Sequence, residues 1–197
     1  MKNKKNYALI VLFLVITLEG VFVWQNKLMP KPENEREEIG KNRERSNEKR
    51  LAIKNYKKSL ETWEKLKRLN GESYIYKTGI ASWAGYKNET KITIKNGIPV
   101  AREFQESFMD YIKDAPTPES YSENFENLGT NKKGAPLVTI DYLYKECKQK
   151  LRVSSRDNII LFKTDDDGII AYCGYAPLNC SDDCNEGVSI NSFEWIK

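Results

Sequence analysis

The sequence of 197 residues contains no histidine. This absence excludes Ser-His-Asp and Cys-His nucleophilic mechanisms and any metal centre that needs an imidazole ligand. The sequence also lacks the Gly-rich loop ending in Gly-Lys that holds nucleotide phosphates, and it lacks a Gly-x-Gly-x-x-Gly fingerprint. Paired carboxylates can hydrolyse glycosides without histidine, but no motif places two of them across a cleft. We therefore expect a protein that is not an enzyme, with no catalytic residue, metal or cofactor.

Charge of one sign is not concentrated anywhere in the chain. The 32 basic and 28 acidic residues are interleaved and leave a net charge of +4. Nucleic-acid-binding proteins usually gather lysine and arginine on one face or in blocks. The only such group, the lysines at positions 2, 4 and 5, has another explanation in the apolar run that follows it. Nucleic acid is therefore not an expected partner.

Long apolar runs are also scarce, and the clearest one occupies residues 7–24. As a helix it would be roughly 27 Å long, close to the hydrocarbon thickness of about 30 Å. The preceding lysines place the N-terminus in the cytoplasm. The small residues that a signal peptidase needs are missing, which favours an uncleaved anchor over residues 1–26; a cleaved signal peptide is the alternative. The sequence thus predicts a single-pass protein of the inner or cytoplasmic membrane with its C-terminal domain outside the cytoplasm.

Two further regions follow the predicted anchor. Residues 27–50 carry charges of both signs and almost no apolar side chain, which is typical of a linker; a continuous helical stalk is the alternative. Residues 51–197 are enough for one folded domain. We expect this region to be the extracytoplasmic domain.

The domain shows two helical patterns, each followed by strands. Apolar residues recur at three- and four-residue steps first along one helix and then along a second one that begins after Thr139: Ile53, Tyr56, Leu60, Trp63 and Leu66; Ile140, Leu143, Tyr144, Cys147 and Leu151. Alternating strands and turn signals follow each helix, including Asn96-Gly97 and Asp165-Asp166-Asp167-Gly168. The predicted fold class is α+β, with a helix and three strands repeated twice and the helices packed on antiparallel sheet. The last predicted strand covers residues 188–196.

The chain has four cysteines, and export to an oxidising compartment predicts that they form disulfides. The favoured pairs are Cys180 with Cys184 and Cys147 with Cys173. A zinc site is an alternative, although the spacings are unusual for one. A free, buried Cys147 is another. Nearby carboxylates suggest a cation site only weakly: Asp165 to Gly168 is predicted to be a hairpin turn rather than a calcium loop, and Asp182, Asp183 and Glu186 are a minor alternative.

Residues 105–136 form an irregular but aromatic segment. Four of its side chains are candidate contacts for a partner: Phe108, Tyr111, Tyr121 and Phe125. Structural cover of the domain is the competing interpretation of these aromatics. A basic sheet face carrying Lys91, Lys95 and Arg102 is a second candidate surface.

Several of these features resemble one known family. The pattern comprises the helix with Trp63, the Tyr74-x-Tyr76 strand, the Asn96-Gly97 turn, and the Val138–Tyr144 helix start, and it extends to the last strand. It resembles a family of uncharacterised bacterial envelope proteins and lipoproteins, domain of unknown function six-one-seven-four, over residues 63–196. This chain has Ser82-Trp83-Ala84 where many members carry a close cysteine pair, and it has no lipobox cysteine, which puts subfamily and attachment in doubt. Because the family has no established activity, the resemblance implies fold and compartment only.

The sequence therefore predicts a membrane-anchored extracytoplasmic domain with a non-catalytic role. Its expected partners are the membrane, through the N-terminal helix, and an unknown protein or envelope component. The alternative is an inhibitor or immunity-type protein that blocks an extracytoplasmic enzyme.

Overall fold

The structure is a computed structural model that describes residues 32–110, 115–181 and 184–196. Contacts divide the chain into two compact units, Met1–Lys41 and Asn42–Lys197. The second unit contains both sheets described below.

Of the first unit, the structure describes only the start of a helix, in which Lys41 forms an ion pair with Glu37 at 2.7 Å. The predicted anchor, residues 1–26, lies outside the described residues. Within the described ranges, no helix has the length and apolar character needed to cross a membrane.

The described residues form two helices and eight strands: α1 Glu33–Asn70, β1 Tyr74–Ala81, β2 Tyr86–Lys95, β3 Ile98–Phe108, β4 Ser120–Glu123, α2 Ile140–Lys150, β5 Asn158–Thr164, β6 Ile170–Pro177, β7 Glu186–Ser189 and β8 Ser192–Trp195. A five-stranded sheet has the order β4-β3-β2-β1-β8, and a three-stranded sheet has the order β5-β6-β7. Every strand pair is antiparallel. The predicted α+β class with antiparallel sheet is thus confirmed.

Helix α1 begins well before the predicted domain start. Residues 33–50, predicted as a linker, are helical, as in the alternative of a helical stalk. Within the second unit, Arg45 Nε donates to the Ser155 carbonyl at 3.1 Å and Lys49 Nζ to the Val153 carbonyl at 2.6 Å. These bonds fasten a segment that has few apolar residues of its own.

The buried stripe of α1 follows the helical period. It consists of Ala52, Tyr56, Ser59 and Trp63, and Trp63 is completely buried. The other predicted positions, Ile53, Leu60 and Leu66, lie partly buried at the margins of this stripe.

An aromatic cluster joins α1 to the five-stranded sheet. The Trp63 ring stacks on Trp195 at 5.6 Å and meets Tyr74 edge-on at 5.3 Å. Phe193 completes the cluster, 5.9 Å from Trp63. The indole nitrogen donates to Asp141 Oδ1 at 3.2 Å, so the one polar group of this buried ring is satisfied.

Helix α2 confirms the sequence prediction closely. Thr139 is its N-cap and accepts a hydrogen bond from the Tyr142 N–H. All five predicted stripe positions are buried: Ile140, Leu143, Tyr144, Cys147 and Leu151. The predicted hairpin turn at 165–168 is also present, with Gly168 N donating to the Asp165 carbonyl at 3.1 Å.

The final predicted strand is in fact two strands in different sheets. The chain bends at residues 190–191, where Ile190 N donates to the Ala171 carbonyl and Asn191 N donates to the Lys77 carbonyl. As a result β7 belongs to the three-stranded sheet and β8 to the five-stranded one. The two halves are therefore not equal repeats of a helix and three strands.

A β-bulge changes which face of the sheet Arg102 occupies. Thr93 pairs with Ala101 but Ile94 pairs with Pro99, so β3 has one extra residue at this point. One extra residue reverses the facing of every side chain beyond it. Arg102 consequently lies opposite Ile92 on the core face, where it is 5% exposed. The prediction that Arg102 shares an open basic face with Lys91 and Lys95 is therefore wrong.

Both favoured cysteine pairs are joined. The core disulfide, Cys147–Cys173, links α2 to β6 with a Cα–Cα distance of 5.5 Å. The loop disulfide, Cys180–Cys184, closes a short loop with a Cα–Cα distance of 6.1 Å.

Candidate functional site

The structure describes three of the four aromatic residues proposed to contact a partner, and it places them in different environments. Phe108 is half-buried at the end of β3, with its ring 5.4 Å from that of Tyr86. Phe125 is 86% exposed in a turn. Tyr111 lies outside the described residues. Of the three described candidates, Phe125 alone is largely exposed.

Tyr121 packs as structural cover. Its ring stacks on Phe104 at 5.3 Å, and the Arg102 guanidinium lies 5.4 Å from the ring centroid. Its hydroxyl donates to the Lys133 carbonyl. Burial raises the pKa of this phenol, although the Arg102 charge opposes that rise.

Arg102 and Glu123 form a buried ion pair between β3 and β4. Arg102 Nε and Nη2 each donate to a different carboxylate oxygen of Glu123 at 2.9 Å. Arg102 also donates to the carbonyls of Asn131, at 2.7 Å, and Ala135, at 3.1 Å. Glu123 in turn accepts from the backbone N–H groups of Gly129 and Asn131. The pair therefore holds the chain between residues 129 and 135.

The charge of Glu123 is maintained despite its burial. Burial alone would raise the pKa of this carboxyl group. The hydrogen bonds from Arg102, from the backbone of Asn131 and Gly129, and from the Asn131 side chain outweigh that effect and hold the pKa at about 2. Glu123 is therefore ionised at any physiological pH.

Other contacts fasten the middle segment, residues 115–138, to the sheet. Lys133 Nζ pairs with Glu106 at 2.8 Å and with Glu119 at 2.7 Å, and Thr90 Oγ1 accepts from Ala135 N at 2.9 Å. Gly134 has φ +85°, and a Cβ there would lie 2.9 Å from the Tyr121 hydroxyl and 3.0 Å from the Phe104 ring. The segment is thus a fixed part of the domain, which places residues 134–138 against the core face of the sheet.

These residues form one wall of a concave space, here named the cleft. Its volume is about 380 Å³, within the range of ligand-binding pockets. The other walls are the ends of β1 and β7 and the side of α2: Tyr76, Thr78, Gly79, Ile80, Asn88, Thr90, Gly134, Ala135, Pro136, Val138, Leu143, Gly187, Val188 and Ser189. The cleft exists because β7 and β8 separate into different sheets at residues 190–191. Across the cleft, between β1 and β7, the Thr78 and Ser189 hydroxyls are 3.1 Å apart and hydrogen-bonded.

Among the described residues that line the cleft none is charged, whereas 30% of the whole chain is charged. Its polar groups are neutral hydroxyl, amide and backbone groups. One of them, the Asn88 side chain, is already engaged: its Oδ1 accepts from Ile80 N at 3.3 Å and its Nδ2 donates to the Tyr86 hydroxyl at 3.1 Å. A bound group is therefore expected to be uncharged.

Exposed apolar side chains gather beside the cleft at the end of the sheet. Ile80, Trp83 and Met109 are 60%, 76% and 58% exposed. The backbone places the turn that carries Trp83 and the residue after β3, Met109, at one end of the five-stranded sheet, because Ser82 N donates to the Tyr86 carbonyl and Met109 N to the Gly85 carbonyl. We name Ile80, Trp83 and Met109 the tip surface.

A larger cavity, of about 720 Å³, lies on the opposite face of the five-stranded sheet. Two ion pairs lie in it: Lys77 pairs with Glu89 at 2.8 Å and Lys91 with Glu103 at 2.9 Å. Its lining also includes Glu106, Glu119 and Glu194, so this cavity is acidic and polar rather than neutral and apolar.

No metal site is found in the part of the chain that the structure describes. Asp182 and Asp183, the two central residues of the weak cation hypothesis, lie outside that part. Glu186 pairs with Lys150 at 2.9 Å, and its hydrogen bonds with Lys150 and Tyr175 lower the pKa of its carboxyl group.

Sequence reasoning did not find the cleft or the tip surface. The available signal was Ser82-Trp83-Ala84-Gly85, a turn that carries a tryptophan, followed by a strand end with Met109. Comparison of the chain with protein-family models, curated proteins and solved structures gave no match.

Proposed function

We propose that the protein is a membrane-anchored extracytoplasmic domain that binds a protein or envelope component and catalyses no reaction. The anchor and the envelope location are both inferred from the apolar run of residues 7–24 and from the lysines that precede it. The two disulfides are consistent with an oxidising compartment. The non-catalytic role follows from the histidine-free sequence, which has no catalytic motif.

The tip surface is the observation that carries this proposal. Its three apolar side chains are each more than half exposed and share one end of a sheet. Grouped exposed apolar residues mark interaction sites, and tryptophan is enriched among residues that dominate binding energy. Singly exposed residues, such as Phe125, need no such explanation.

The test is crosslinking of the full-length protein in its membrane, with a variant in which Trp83 and Met109 are both replaced by serine. Because both side chains are exposed, this variant should keep its stability within about 0.5 kcal/mol. It should lose the crosslinked partner. Phe125→Ser is the matched control and should capture the partner normally. Capture that survives in the double variant but fails in Phe125→Ser would contradict the tip surface and favour the middle segment.

The captured partner also distinguishes the two functional hypotheses. A scaffold or envelope component favours the binding role. An enzyme whose activity falls when the domain binds favours the inhibitor or immunity-type alternative.

A further inference from the structure

The β1 edge that borders the cleft has no ladder partner along its second half. Strand β8 pairs with β1 only from Tyr74 to Lys77, and the described residues include no other strand on that side. The Lys77 carbonyl faces β8, since it accepts from Asn191 N at 2.7 Å. Peptide groups alternate in direction along a strand, so those of Gly79 and Ala81 point to the same side as Lys77. They therefore face the opening between β1 and β7.

The opposite lip of the cleft is also a strand edge. Strand β7 is the outer strand of its sheet and pairs only with β6 in the described part of the chain. Ile190 N donates to the carbonyl of Ala171, on β6, so the peptide groups of Ile190 face β6. Because peptide groups alternate in direction along a strand, those of Ser189 and Gly187 point away from β6. Two edges with available peptide groups thus border one uncharged cavity.

We infer that the cleft accepts an extended, uncharged peptide segment of a partner protein, which pairs with β1 at Gly79 and Ala81. Addition of a strand to an exposed edge gives affinity through main-chain hydrogen bonds, while alternate side chains enter pockets that give specificity. Here the alternate side chain enters the cleft beside Ile80 and Leu143. This inference rests on the proposed binding function and specifies its mode.

Two features favour a peptide over other occupants. The unpaired stretch from Thr78 to Ala81 is about 13 Å long, enough for a strand of three or four residues. The neutral lining excludes a charged segment, because burying an unpaired charge is very costly.

The experiment selects heptapeptides from a random phage-displayed library on the full-length protein in non-ionic detergent. Synthetic copies of the selected peptides are then titrated while amide hydrogen exchange is followed by NMR. The Gly79 and Ala81 amides should exchange at least about tenfold more slowly in the complex, as expected for amides that gain a hydrogen bond. The Thr78 and Ile80 amides face β2 and serve as internal controls. Selected peptides should be uncharged at their centre and rich in aliphatic residues.

Two matched pairs of variants test the contacts. Ala81→Pro removes the outward N–H without touching the β1–β2 ladder and should weaken binding about tenfold, equivalent to about 1.4 kcal/mol, whereas Ala81→Ser should not. Ile80→Lys places a charge in the cleft and should abolish binding. Ile98→Lys, at the start of β3 where the side chain is 64% exposed, should leave binding unchanged. Thermal melts of all four variants identify any loss of folding.

Any of three results would overturn the inference. The first is a library that yields no binding peptide, the second is a set of selected peptides with charged centres, and the third is slowed hydrogen exchange in the complex at amides other than those of Gly79 and Ala81. Dimerisation that Ala81→Pro abolishes would show a second copy of the chain as the occupant instead. The proposed function can survive these results, because its own test depends on Trp83 and Met109 and not on the β1 edge.

Discussion

Replacement of Glu123 by glutamine is expected to lower the free energy of unfolding by about 3–5 kcal/mol, the usual cost of leaving one buried charge without its partner. The reason is geometric as well as electrostatic. Oε1 accepts from Arg102 Nη2, Asn131 N and Asn131 Nδ2, and Oε2 accepts from Arg102 Nε and Gly129 N. Either orientation of the glutamine amide therefore places an NH₂ group against at least two donors.

The measurement is urea unfolding of the full-length protein in detergent, followed by tryptophan fluorescence. The expected loss corresponds to a fall in Tm of roughly 6–20 °C for a domain of this size. Glu103→Gln is the control, because Glu103 forms an ion pair with Lys91 while 50% exposed. Exposed pairs contribute only about 0–1 kcal/mol, so the control should change stability little. If Glu123→Gln and Glu103→Gln lowered the free energy of unfolding by equally small amounts, the view that Arg102 and Glu123 form a buried, fully hydrogen-bonded pair would be refuted.

Removal of both charges should not restore stability. Replacing a buried ion pair with apolar side chains is often neutral or stabilising. In this protein, however, a variant with Arg102→Met and Glu123→Leu leaves the Gly129 and Asn131 N–H groups and the Ala135 carbonyl without their hydrogen-bond partners. Each unsatisfied buried group costs about 1–3 kcal/mol. A double variant as stable as the original protein would show that the middle segment finds other partners.

Three further outcomes are expected. The folded-state pKa of Glu123, about 2, lies below the ordinary value of 4.5. The ionised carboxylate therefore contributes its full stabilisation of the fold above about pH 4.5, and this stabilisation is lost as the pH falls towards 2. The difference in unfolding free energy between the original protein and Glu123→Gln, measured by urea unfolding at each pH, should narrow between pH 4.5 and 2 and stay constant above pH 4.5. Replacing the core disulfide by two serines should lower the free energy of unfolding by about 3.5 kcal/mol, and replacing the loop disulfide should lower it by about 2 kcal/mol. The loop-entropy cost is larger for the core disulfide because the sequence separations are 26 and 4. Equal losses of stability in chemical denaturation would contradict this expectation. Trp63→Ala should cost about 3–5 kcal/mol and remove most of the near-ultraviolet circular dichroism, because the ring is completely buried among aromatics.

Local patterns predicted the helices and hairpins well. The buried stripe of α2 could be predicted because it depends only on the helical period and on Thr139 as the N-cap, and both are visible in a short stretch of sequence. Compartment and count predicted disulfides, whereas the pairing was a preference among three connectivities, which the structure confirms. Such features depend on neighbours that are close in sequence or on chemistry that one residue type carries.

The orientation of Arg102 could not be predicted in the same way. With a regular hairpin from Asn96-Gly97, Arg102 would lie opposite Lys91 on the open face. The extra residue in β3 places it opposite Ile92 instead. The sequence marks this bulge only by Pro99, which restricts pairing without fixing where the register changes.

The cleft could not be predicted from the sequence for a different reason. Its two edges, β1 and β7, are far apart in the sequence, and they separate because the chain bends at residues 190–191. No turn signal such as Asn-Gly marks that bend. Which sheet each strand joins is decided by tertiary packing, here by Phe193 and Trp195 against Trp63.

Strand β8 also imposes an order on how the domain can form during synthesis. Tyr74 pairs with Trp195, so the five-stranded sheet cannot be completed until nearly the whole domain has been made. Until then Trp63 has no indole to stack on, and the entire β1 edge is open. Exposed edges and uncovered aromatics promote association between unfinished chains. We therefore expect the nascent chain to be most prone to association before β8 is available, and the part of the edge that β8 never covers is the part that faces the cleft.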